Sequence, residues 1–373
     1  LMENAARNFT GTLDTGLDNF LIVCGKGNNG GDGYAIARQL VSLNKRVSVF
    51  SCETSDMSRD CRINYDICRN LGIPMENDIS ALEKLIISHD VVIDAVFGTG
   101  LDKPLAAPYD KIINNINQYG KYIISVDIPS GINGSTGETA GIAVKADRTV
   151  SFVTYKQGFL NYSAAEFLGK IKVVNIGLPE HVIKKFSNTV LMDKKYISSL
   201  LIPRLKYSHK GNFGHTLIIA GSPGFTGAAV ISANAAVKTG SGLVTLAVFH
   251  ECLNMLSSCS PEVMTADLSD KNRLLDLLKK VNSIAFGPGL GNNPRTLELL
   301  KFVLENSDAP MVIDADGINV LAEEPALLEK LKNRCILTPH LGEFSRISGL
   351  SIEEISKDRI KAAKDFSKKY SVI

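Results

Sequence analysis

The 373-residue sequence lacks any apolar run close to the roughly 20 residues that a helix needs to cross a bilayer. It also lacks a charge imbalance, because its net charge is only +2, which gives no electrostatic basis for binding nucleic acid or an acidic membrane surface. Its seven cysteines include no C-x-x-C pair, and an odd, scattered set does not suit a disulfide scaffold. We therefore predict a cytoplasmic protein with reduced thiols, and neither nucleic acid nor a membrane as its partner.

Length and composition indicate a globular protein of two domains. Hydrophobic residues make up 45% of the chain and charged residues 21%, and 373 residues exceed what one ordinary core holds. The alternation of apolar runs with helical stretches becomes less regular after Gly177-Leu-Pro179, where residues 178–207 have a mixed and basic composition. We predict domains at 1–177 and 208–373, joined by a linker at 178–207. Both ends look cut, so we expect the sequence to be part of a longer protein.

Apolar runs alternate with helical stretches in both halves, which indicates α/β domains with parallel sheets covered by helices. In the first half, helices are predicted near 30–43, 57–71, 79–88 and 108–118. Strands are predicted there at Leu21–Cys24, Val47–Phe50, Val91–Ala95, Tyr122–Val126, Arg148–Phe152 and Ile171–Val174. In the second half, a helix is predicted at 226–239, and strands at His215–Ala220, Leu243–Val248, Ser283–Phe286, Met311–Asp314 and Cys335–Leu337.

A glycine-rich stretch, Gly25-Lys-Gly-Asn-Asn-Gly-Gly-Asp-Gly33, follows the first predicted strand. We expect its glycines to fill the turn between that strand and a helix at Tyr34–Leu43. Such a turn presents backbone N–H groups and a helix N-terminus to an anion. The pattern G-x-G-x-x-G is satisfied but is weak alone. The added Asn28, Asn29 and Asp32 indicate a site that binds more than phosphate.

Two further predicted strands of the first half end in an aspartate. Asp94 precedes the glycine loop 98–100, and Asp127 precedes the tight turn Pro129-Ser-Gly131. Asn29, Asp94 and Ser130 carry the oxygen ligands that a hard monovalent or divalent cation prefers, which leaves Asp127 for proton transfer. The alternative is that Asp94 and Asp127 only cap helices.

These three segments together resemble the N-terminal domain of the bifunctional NAD(P)H-hydrate repair enzymes, and the opening Leu-Met-Glu-Asn-Ala-Ala resembles that family's first helix. The resemblance implies a Rossmann-like three-layer αβα sandwich that interconverts the R and S epimers of hydrated NADH and NADPH (NADHX and NADPHX). It implies K+ held by Asn29, Asp94 and Ser130, and Asp127 as the acid/base. The residues implied to bind NAD(P)HX are Asn28, Asn29, Gly30, Gly31, Asp32, Gly98, Thr99, Gly100, Leu101, Asp102, Lys103, Pro104 and Asp127.

The second half carries four segments that resemble the ADP-dependent NAD(P)H-hydrate dehydratase domain of the same family. They are the segments 209–229, 286–291, 313–319 and 337–343. The resemblance implies a ribokinase-like fold in which ADP or ATP, with Mg²⁺, phosphorylates the ring hydroxyl before phosphate is eliminated. It implies NAD(P)HX contacts at Ala228, Gly289 and His340, whereas Asp316 is expected only to cap a helix.

One departure from the family concerns a Gly-Thr-Gly-Asp motif that its members carry further downstream. No such motif occurs in this sequence. We therefore expect the second domain as given to be incomplete, and unable to dehydrate its substrate if the molecule ended there.

Three other functions remain open on the sequence. An NAD-dependent oxidoreductase is one, because Glu53 lies about 20 residues past the glycine turn, where a ribose-binding acid would sit. A ribokinase-family small-molecule kinase is another. A non-enzymatic scaffold of the mRNA-decapping type is the third, and the near-neutral charge argues against it. The predicted partner is a small nucleotide substrate, and we expect a homo-oligomer.

Overall fold

The computed structural model of the chain describes residues 1–100, 104–186, 189–201, 203–257 and 261–373. The chain divides into two compact units, Leu1–Leu191 and Met192–Ile373. Within the described ranges, no helix combines the length and the apolarity that a membrane crossing requires. The predicted domain limits at 177 and 208 stay a prediction, and two helices, Glu180–Phe186 and Lys194–Leu200, lie inside the predicted linker.

The described residues of the first unit form a seven-stranded parallel sheet. Its strands are β1 Asn19–Cys24, β2 Arg46–Ser51, β3 Met75–Glu76, β4 Val91–Ala95, β5 Ile123–Val126, β6 Arg148–Phe152 and β7 Lys170–Val174. Its helices are α1 Met2–Thr10, α2 Asn28–Ser42, α3 Arg59–Asn70, α4 Ile79–Ser88, α5 Tyr109–Tyr119, α6 Ala165–Leu168 and α7 Glu180–Phe186, with 3₁₀ turns at Gln157–Leu160 and Tyr162–Ala164. The strand order is β3-β2-β1-β4-β5-β6-β7, so the chain reverses direction across the sheet between β1 and β4.

Alternate side chains of the strands fill two cores, one on each face of this sheet. Phe20 and Ile22 of β1 pack with α1, α2 and α3, whereas Leu21 and Val23 pack with α4 and α5. The three-layer αβα sandwich follows because the central strands bury apolar side chains on both faces of the sheet. In such a sheet, the crevice at the carboxyl ends of the strands, where the strand order reverses, is where ligands bind.

The second unit is also a parallel sheet, six-stranded over the described residues. Its strands are β8 His215–Ile219, β9 Leu243–Val248, β10 Met264–Asp267, β11 Ser283–Phe286, β12 Met311–Ile313 and β13 Cys335–Leu337, in the order β10-β9-β8-β11-β12-β13. Its helices are α8 Lys194–Leu200, α9 Thr226–Thr239, α10 His250–Ser257, α11 Lys271–Leu278, α12 Pro294–Asn306, α13 Asp316–Glu323, α14 Leu341–Ser348, α15 Ile352–Lys357 and α16 Arg359–Tyr370, with 3₁₀ turns at Lys210–Phe213 and Pro325–Leu331. The α/β class predicted for both halves is confirmed.

The expected role of the glycines after β1 is wrong in one respect. Helix α2 begins at Asn28, two residues before the helix predicted near 30–43 and six before the one predicted from Tyr34, so Gly30, Gly31 and Gly33 lie inside the helix. None of the glycines from 25 to 33 has a positive φ. They are needed for close packing instead, because a Cβ on Gly30 would lie 1.8 Å from the carbonyl oxygen of Gly25.

Replacing Gly30 by alanine should therefore destabilise the first unit, although the same change in an open helix stabilises by about 1 kcal/mol. Overpacking against backbone typically costs about 1–3 kcal/mol, and we expect a loss of this size in the free energy of unfolding, measured in urea. Gly16→Ala is the control, because a Cβ there meets nothing within 4 Å, and it should change the stability by less than about 0.5 kcal/mol. A Gly30→Ala protein as stable as wild type would contradict the close packing.

Candidate functional site

A cavity of about 520 Å³ opens at the carboxyl edge of the first sheet, within the size range of small-molecule sites, roughly 300–1,000 Å³. It lies where the loops after β1, β4 and β5 meet. Its lining consists of Lys26, Gly27, Asn28, Asn29, Asp32, Val96, Phe97, Gly98, Thr99, Gly100 and Asp127. The start of α2 forms one wall, so the amide groups that lack intrahelical acceptors, and the positive end of the helix dipole, are available to an anionic ligand.

A chain of hydrogen bonds connects this wall to the two loops beside it. The side-chain amide of Asn29 donates to the Phe97 carbonyl oxygen at 2.9 Å. The Phe97 N–H donates to Ser130 Oγ at 2.8 Å, and the Ser130 hydroxyl donates to Asp94 Oδ1 at 2.5 Å. The three residues predicted to hold a cation are therefore neighbours, joined through the backbone of Phe97.

Asp94 is fully buried beneath the cavity and accepts four hydrogen bonds. Besides the Ser130 hydroxyl, the donors are the backbone N–H groups of Val96 at 3.3 Å and Ser130 at 2.9 Å, and the Ser125 hydroxyl at 2.8 Å. No cationic side chain of the described residues forms an ion pair with it. Burial raises the pKa of Asp94 above its ordinary value, against the opposing effect of the hydrogen bonds.

Asp127 lies at the end of β5 in a strained backbone conformation, with φ at +65°. A non-glycine residue in this region costs about 1–3 kcal/mol, which is typical of functional sites. Its Oδ1 accepts from the Phe152 N–H at 2.8 Å and lies 2.7 Å from Lys156 Nζ. Sequence reasoning missed Lys156, although it follows β6 closely, and the strand-end rule used for Asp94 and Asp127 would have pointed to it.

Asp32 lies in the second turn of α2 and faces the same cavity as Asp127. Burial, and then the charge of Asp127, raise the pKa of Asp32 to about 7. The site therefore holds two carboxyl groups in different environments, one paired with a lysine and one largely desolvated. Such a difference separates the roles of acid and base in one site.

The structure brings together most of the residues predicted to bind NAD(P)HX in the first unit. Lining the cavity are Asn28, Asn29, Asp32, Gly98, Thr99, Gly100 and Asp127. Asp94 and Ser130 lie buried below it, and neither Asp94 nor Asp127 caps a described helix. Of the other predicted positions that are described, Gly30, Gly31 and Pro104 are not part of the lining. Leu101, Asp102 and Lys103 lie outside the described residues, and all these binding roles stay predictions.

Glu53, the residue on which the oxidoreductase alternative depended, is engaged by neighbouring side chains. Lys26 Nζ lies 3.1 Å from its carboxylate, and the Tyr109 hydroxyl donates to it at 2.9 Å. These contacts and the Ser55 hydroxyl lower the pKa of Glu53. Its oxygens already accept from protein donors, so the structure gives no support to a free ribose-binding acid.

Two of the three residues predicted for the second unit's site, Ala228 and Gly289, are neighbours in space. Gly289 has φ at +68°, and a Cβ there would lie 3.1 Å from Ala228 Cβ and 2.8 Å from the Phe225 carbonyl oxygen. The loop after β11 thus lies against the start of α9. Asp316 was expected only to cap α13, but its carboxylate accepts from the Gly291 N–H at 2.8 Å and so connects the loops after β11 and β12.

His340 follows β13, two strands from β11 in the sheet, and is the N-cap of α14. Its Nδ1 accepts from the Gly342 N–H at 3.0 Å, while its Nε2 lies 3.1 Å from Glu343 Oε1. Its side chain is still 68% exposed, so the ring is accessible at the carboxyl edge where Gly289 also lies. A role in binding NAD(P)HX stays a prediction for all three residues.

Comparison with known proteins assigns each half of the chain to a described family. The family described as YjeF-related protein N-terminus matches residues 1–158, and the family described as NAD(P)H-hydrate dehydratase matches residues 216–373. Three similar proteins named bifunctional NAD(P)H-hydrate repair enzyme Nnr come from Coxiella burnetii, Moorella thermoacetica and Escherichia coli K12, with identities of 38%, 33% and 32%. The alignments cover 94%, 100% and 94% of this chain, and 70%, 73% and 67% of those proteins.

Solved structures similar to this chain include an ADP/ATP-dependent NAD(P)H-hydrate dehydratase from Bacillus subtilis co-crystallised with ATP and Mg²⁺. The two are 26% identical with a TM-score of 0.42, and the match covers 50% of this chain and 65% of that one.

The raised pKa of Asp32 predicts a pH-dependent stability of the first unit. The folded state retains the proton up to about pH 7, whereas the unfolded chain loses it near the ordinary value of 3.8. Between these values the folded state binds more protons, so the free energy of unfolding falls as the pH rises, by up to about 4 kcal/mol. Urea denaturation at pH 4.5 and pH 7.5 measures the difference in the free energy of unfolding between the two conditions. Asp32→Asn should abolish most of this difference.

Asp60→Asn is the control for this measurement, because Asp60 is an exposed carboxylate on α3. It should keep the wild-type pH dependence. If Asp32→Asn kept it too, Asp32 would not carry its proton at neutral pH.

Proposed function

The chain belongs to the family of bifunctional NAD(P)H-hydrate repair enzymes, and on that premise we propose how its residues act. The first unit interconverts the R and S epimers of NADHX and NADPHX, and the second unit converts the S epimer to NADH or NADPH with ADP or ATP. The observation that carries the first assignment is the placement of Asp32 and Asp127 in one cavity with the start of α2.

Substrate binding in the first unit is assigned to the start of α2 and to the loop after β4. The pyrophosphate of the dinucleotide carries negative charge, which the helix N-terminus and Lys26 favour. Asn28, Asn29, Gly98, Thr99 and Gly100 supply short side chains and accessible backbone around it. The proposed binding segment continues through Leu101, Asp102, Lys103 and Pro104.

Epimerisation at C6 requires that the hydroxyl-bearing carbon lose and regain its oxygen, or that the ring open and close. In the first route the C6–O bond breaks, a proton joins the leaving oxygen, and the ring nitrogen lone pair stabilises the cation that remains. Water then adds to the opposite face and gives up a proton. Either route needs a carboxyl group next to the reacting oxygen that gives or takes a proton, and we assign Asp127 as an acid/base of this reaction.

The residues predicted to hold K+ fit a monovalent cation. Asp94 is a fully buried carboxylate without a cationic partner among the described residues, and Ser130 and Asn29 add oxygen atoms beside it. No described group of three or more His, Cys, Asp and Glu forms a metal site, and an oxygen-rich set with a single charge suits K+ better than a divalent ion. When bound, K+ supplies fixed positive charge near the pocket. Asp94 balances that charge, and Ser130 and Asn29 position the loop at Phe97.

In the second unit we assign NAD(P)HX binding to Ala228, Gly289 and His340. The close approach of Gly289 to Phe225 leaves a surface without side chains, against which a flat ring or a phosphate can lie. Transfer of a phosphoryl group from ADP or ATP to the ring hydroxyl, with Mg²⁺ neutralising the phosphates, makes that oxygen a good leaving group. Elimination of phosphate with loss of a ring proton then restores NAD(P)H. A cytoplasmic location and a homo-oligomeric state stay predictions.

The test mixes separated R and S epimers of NADHX with the full natural chain, and follows epimers by chromatography and NADH by absorbance near 340 nm. We expect epimer exchange without ADP, and NADH recovery only with ADP or ATP. Asp127→Asn should lower the exchange rate by about 10²–10⁴-fold, because its amide cannot transfer a proton. It should leave NADH formation from the S epimer unchanged.

The exposed Asp14→Asn is the control and should behave as wild type in both reactions. Loss of both reactions in Asp127→Asn would indicate misfolding. Undiminished exchange would exclude Asp127 as the acid/base, and a wild-type protein inactive in both reactions would refute the proposed function.

The cation assignment predicts that exchange depends on K+. Replacing K+ by tetramethylammonium should lower the rate, because the latter is too large for a site of three side chains. In Asp94→Asn the half-activating K+ concentration should rise by about 10-fold or more, since the buried charge that balances the ion is removed. Circular dichroism checks that the variant folds, and equal rates in both salts would contradict the assignment.

A further inference from the structure

Lys156 is a largely buried lysine next to the carboxylate on which the proposed reaction depends. Its side chain is 14% exposed and that of Asp127 is 16% exposed, with 2.7 Å between Nζ and Oδ1. The ammonium also donates to the Phe152 carbonyl oxygen at 2.9 Å. Lys156 is not part of the lining of the cavity, whereas Asp127 is, so the lysine lies behind the carboxylate.

A strained turn brings Lys156 to this place. Val153, a β-branched residue, has φ at +68°, which such side chains rarely adopt. The Thr154 N–H donates to the Phe152 carbonyl oxygen at 2.8 Å, and the Val153 N–H pairs with Val174 of β7 at 2.9 Å. The chain therefore reverses directly after β6, which returns Lys156 towards Asp127. Backbone strain of this kind persists where the surrounding structure requires the geometry.

The donors around Asp127 all converge on one of its two oxygens. The Phe152 N–H, the Lys156 ammonium and the Ser151 hydroxyl, the last at 3.4 Å, contact Oδ1. In the part of the chain that the structure describes, no donor contacts Oδ2. The carboxylate is thus held by one oxygen, and the other remains available to the cavity.

We propose that Lys156 is a positioning residue of the epimerase reaction, which holds Oδ1 of Asp127 so that Oδ2 is available to the substrate, with Asp32 as the second carboxyl group of the proton-transfer pair. This inference rests on the proposed function of the first unit. In one direction, Asp32 gives its proton to the departing hydroxyl as the C6–O bond breaks with its electron pair on oxygen. The entering water loses a proton to Asp127, so the proton count balances, and the reverse direction exchanges the two roles.

The charges around the two carboxyl groups agree with this division. Asp127 faces Lys156 and Asp32, and Asp32 faces Asp127. Burial and the negative charge of Asp127 raise the pKa of Asp32 to about 7. The lysine beside Asp127 and the desolvation of Asp32 therefore favour Asp32 as the proton donor of the pair.

The test compares Lys156→Met and Lys156→Arg with wild type in the epimer-exchange assay over a range of pH. For Lys156→Met we expect kcat to fall by about 10²-fold with KM within threefold, because the lysine does not contact the substrate. The acidic limb of its pH–rate profile should move to higher pH, since losing an adjacent cation disfavours a charged carboxylate. Lys156→Arg, which keeps the charge, should recover most of kcat and the wild-type profile.

Lys45→Met is the matched control. Lys45 is 23% exposed, lies 3.8 Å from Asp18, and donates to the Thr15 carbonyl oxygen, but precedes β2 at the amino edge of the sheet. Its loss should change the stability without changing kcat or the pH profile. If Lys156→Met does not fold, Lys156→Gln takes its place with the same expectations.

Three results would overturn the assignment. The first is a kcat of Lys156→Met above a third of the wild-type value, and the second is a pH–rate profile of that variant equal to the wild-type profile. The third is failure of both Lys156→Met and Lys156→Gln to fold, which would show that the ion pair is structural. In each of these three results the wild-type protein still exchanges the epimers. Failure of the proposed function differs, because the wild-type protein itself would then show no exchange, and both proposals would be refuted.

Discussion

The backbone at the start of α2 lies against neighbouring backbone at distances that only glycine permits. A Cβ on Gly25 would lie 2.0 Å from the Val96 carbonyl oxygen, and a Cβ on Gly30 would lie 1.8 Å from the Gly25 carbonyl oxygen. This contact brings the helix N-terminus next to the loop after β4. The hydrogen bond from Asn29 to Phe97, the burial of Asp94 and the shape of the cavity all depend on it.

Three aspartates within this unit have three different electrostatic environments. Asp94 is sealed from solvent and surrounded by hydrogen-bond donors, Asp127 is paired with a lysine, and Asp32 is desolvated beside the negative charge of Asp127. The same side-chain chemistry can therefore serve as a balancing charge for a cation, as a carboxylate base and as a neutral acid. The differences arise from burial and from partners that are distant in the sequence.

The strands that form the centre of each sheet were predicted to within about two residues, because runs buried on both faces have a strong apolar signal. The strands β3 and β10 were missed, since they are short edge strands that carry polar residues such as Glu76 and Asp267. The start of α2 was placed too late. Asn-Asn-Gly-Gly-Asp has the composition of a turn, and only the packing of Gly30 on Gly25 shows why that sequence is helical.

The sequence by itself determined the α/β class, the family and the strand ends at which polar residues gather, because periodicity and short motifs are local properties of a chain. Only the tertiary structure decided that Lys156 contacts Asp127, that Asp94 is sealed below the cavity, and that the pKa of Asp32 is raised. Ion pairs and pKa values depend on distance and burial in space. Neither quantity is encoded in the spacing of residues along the chain.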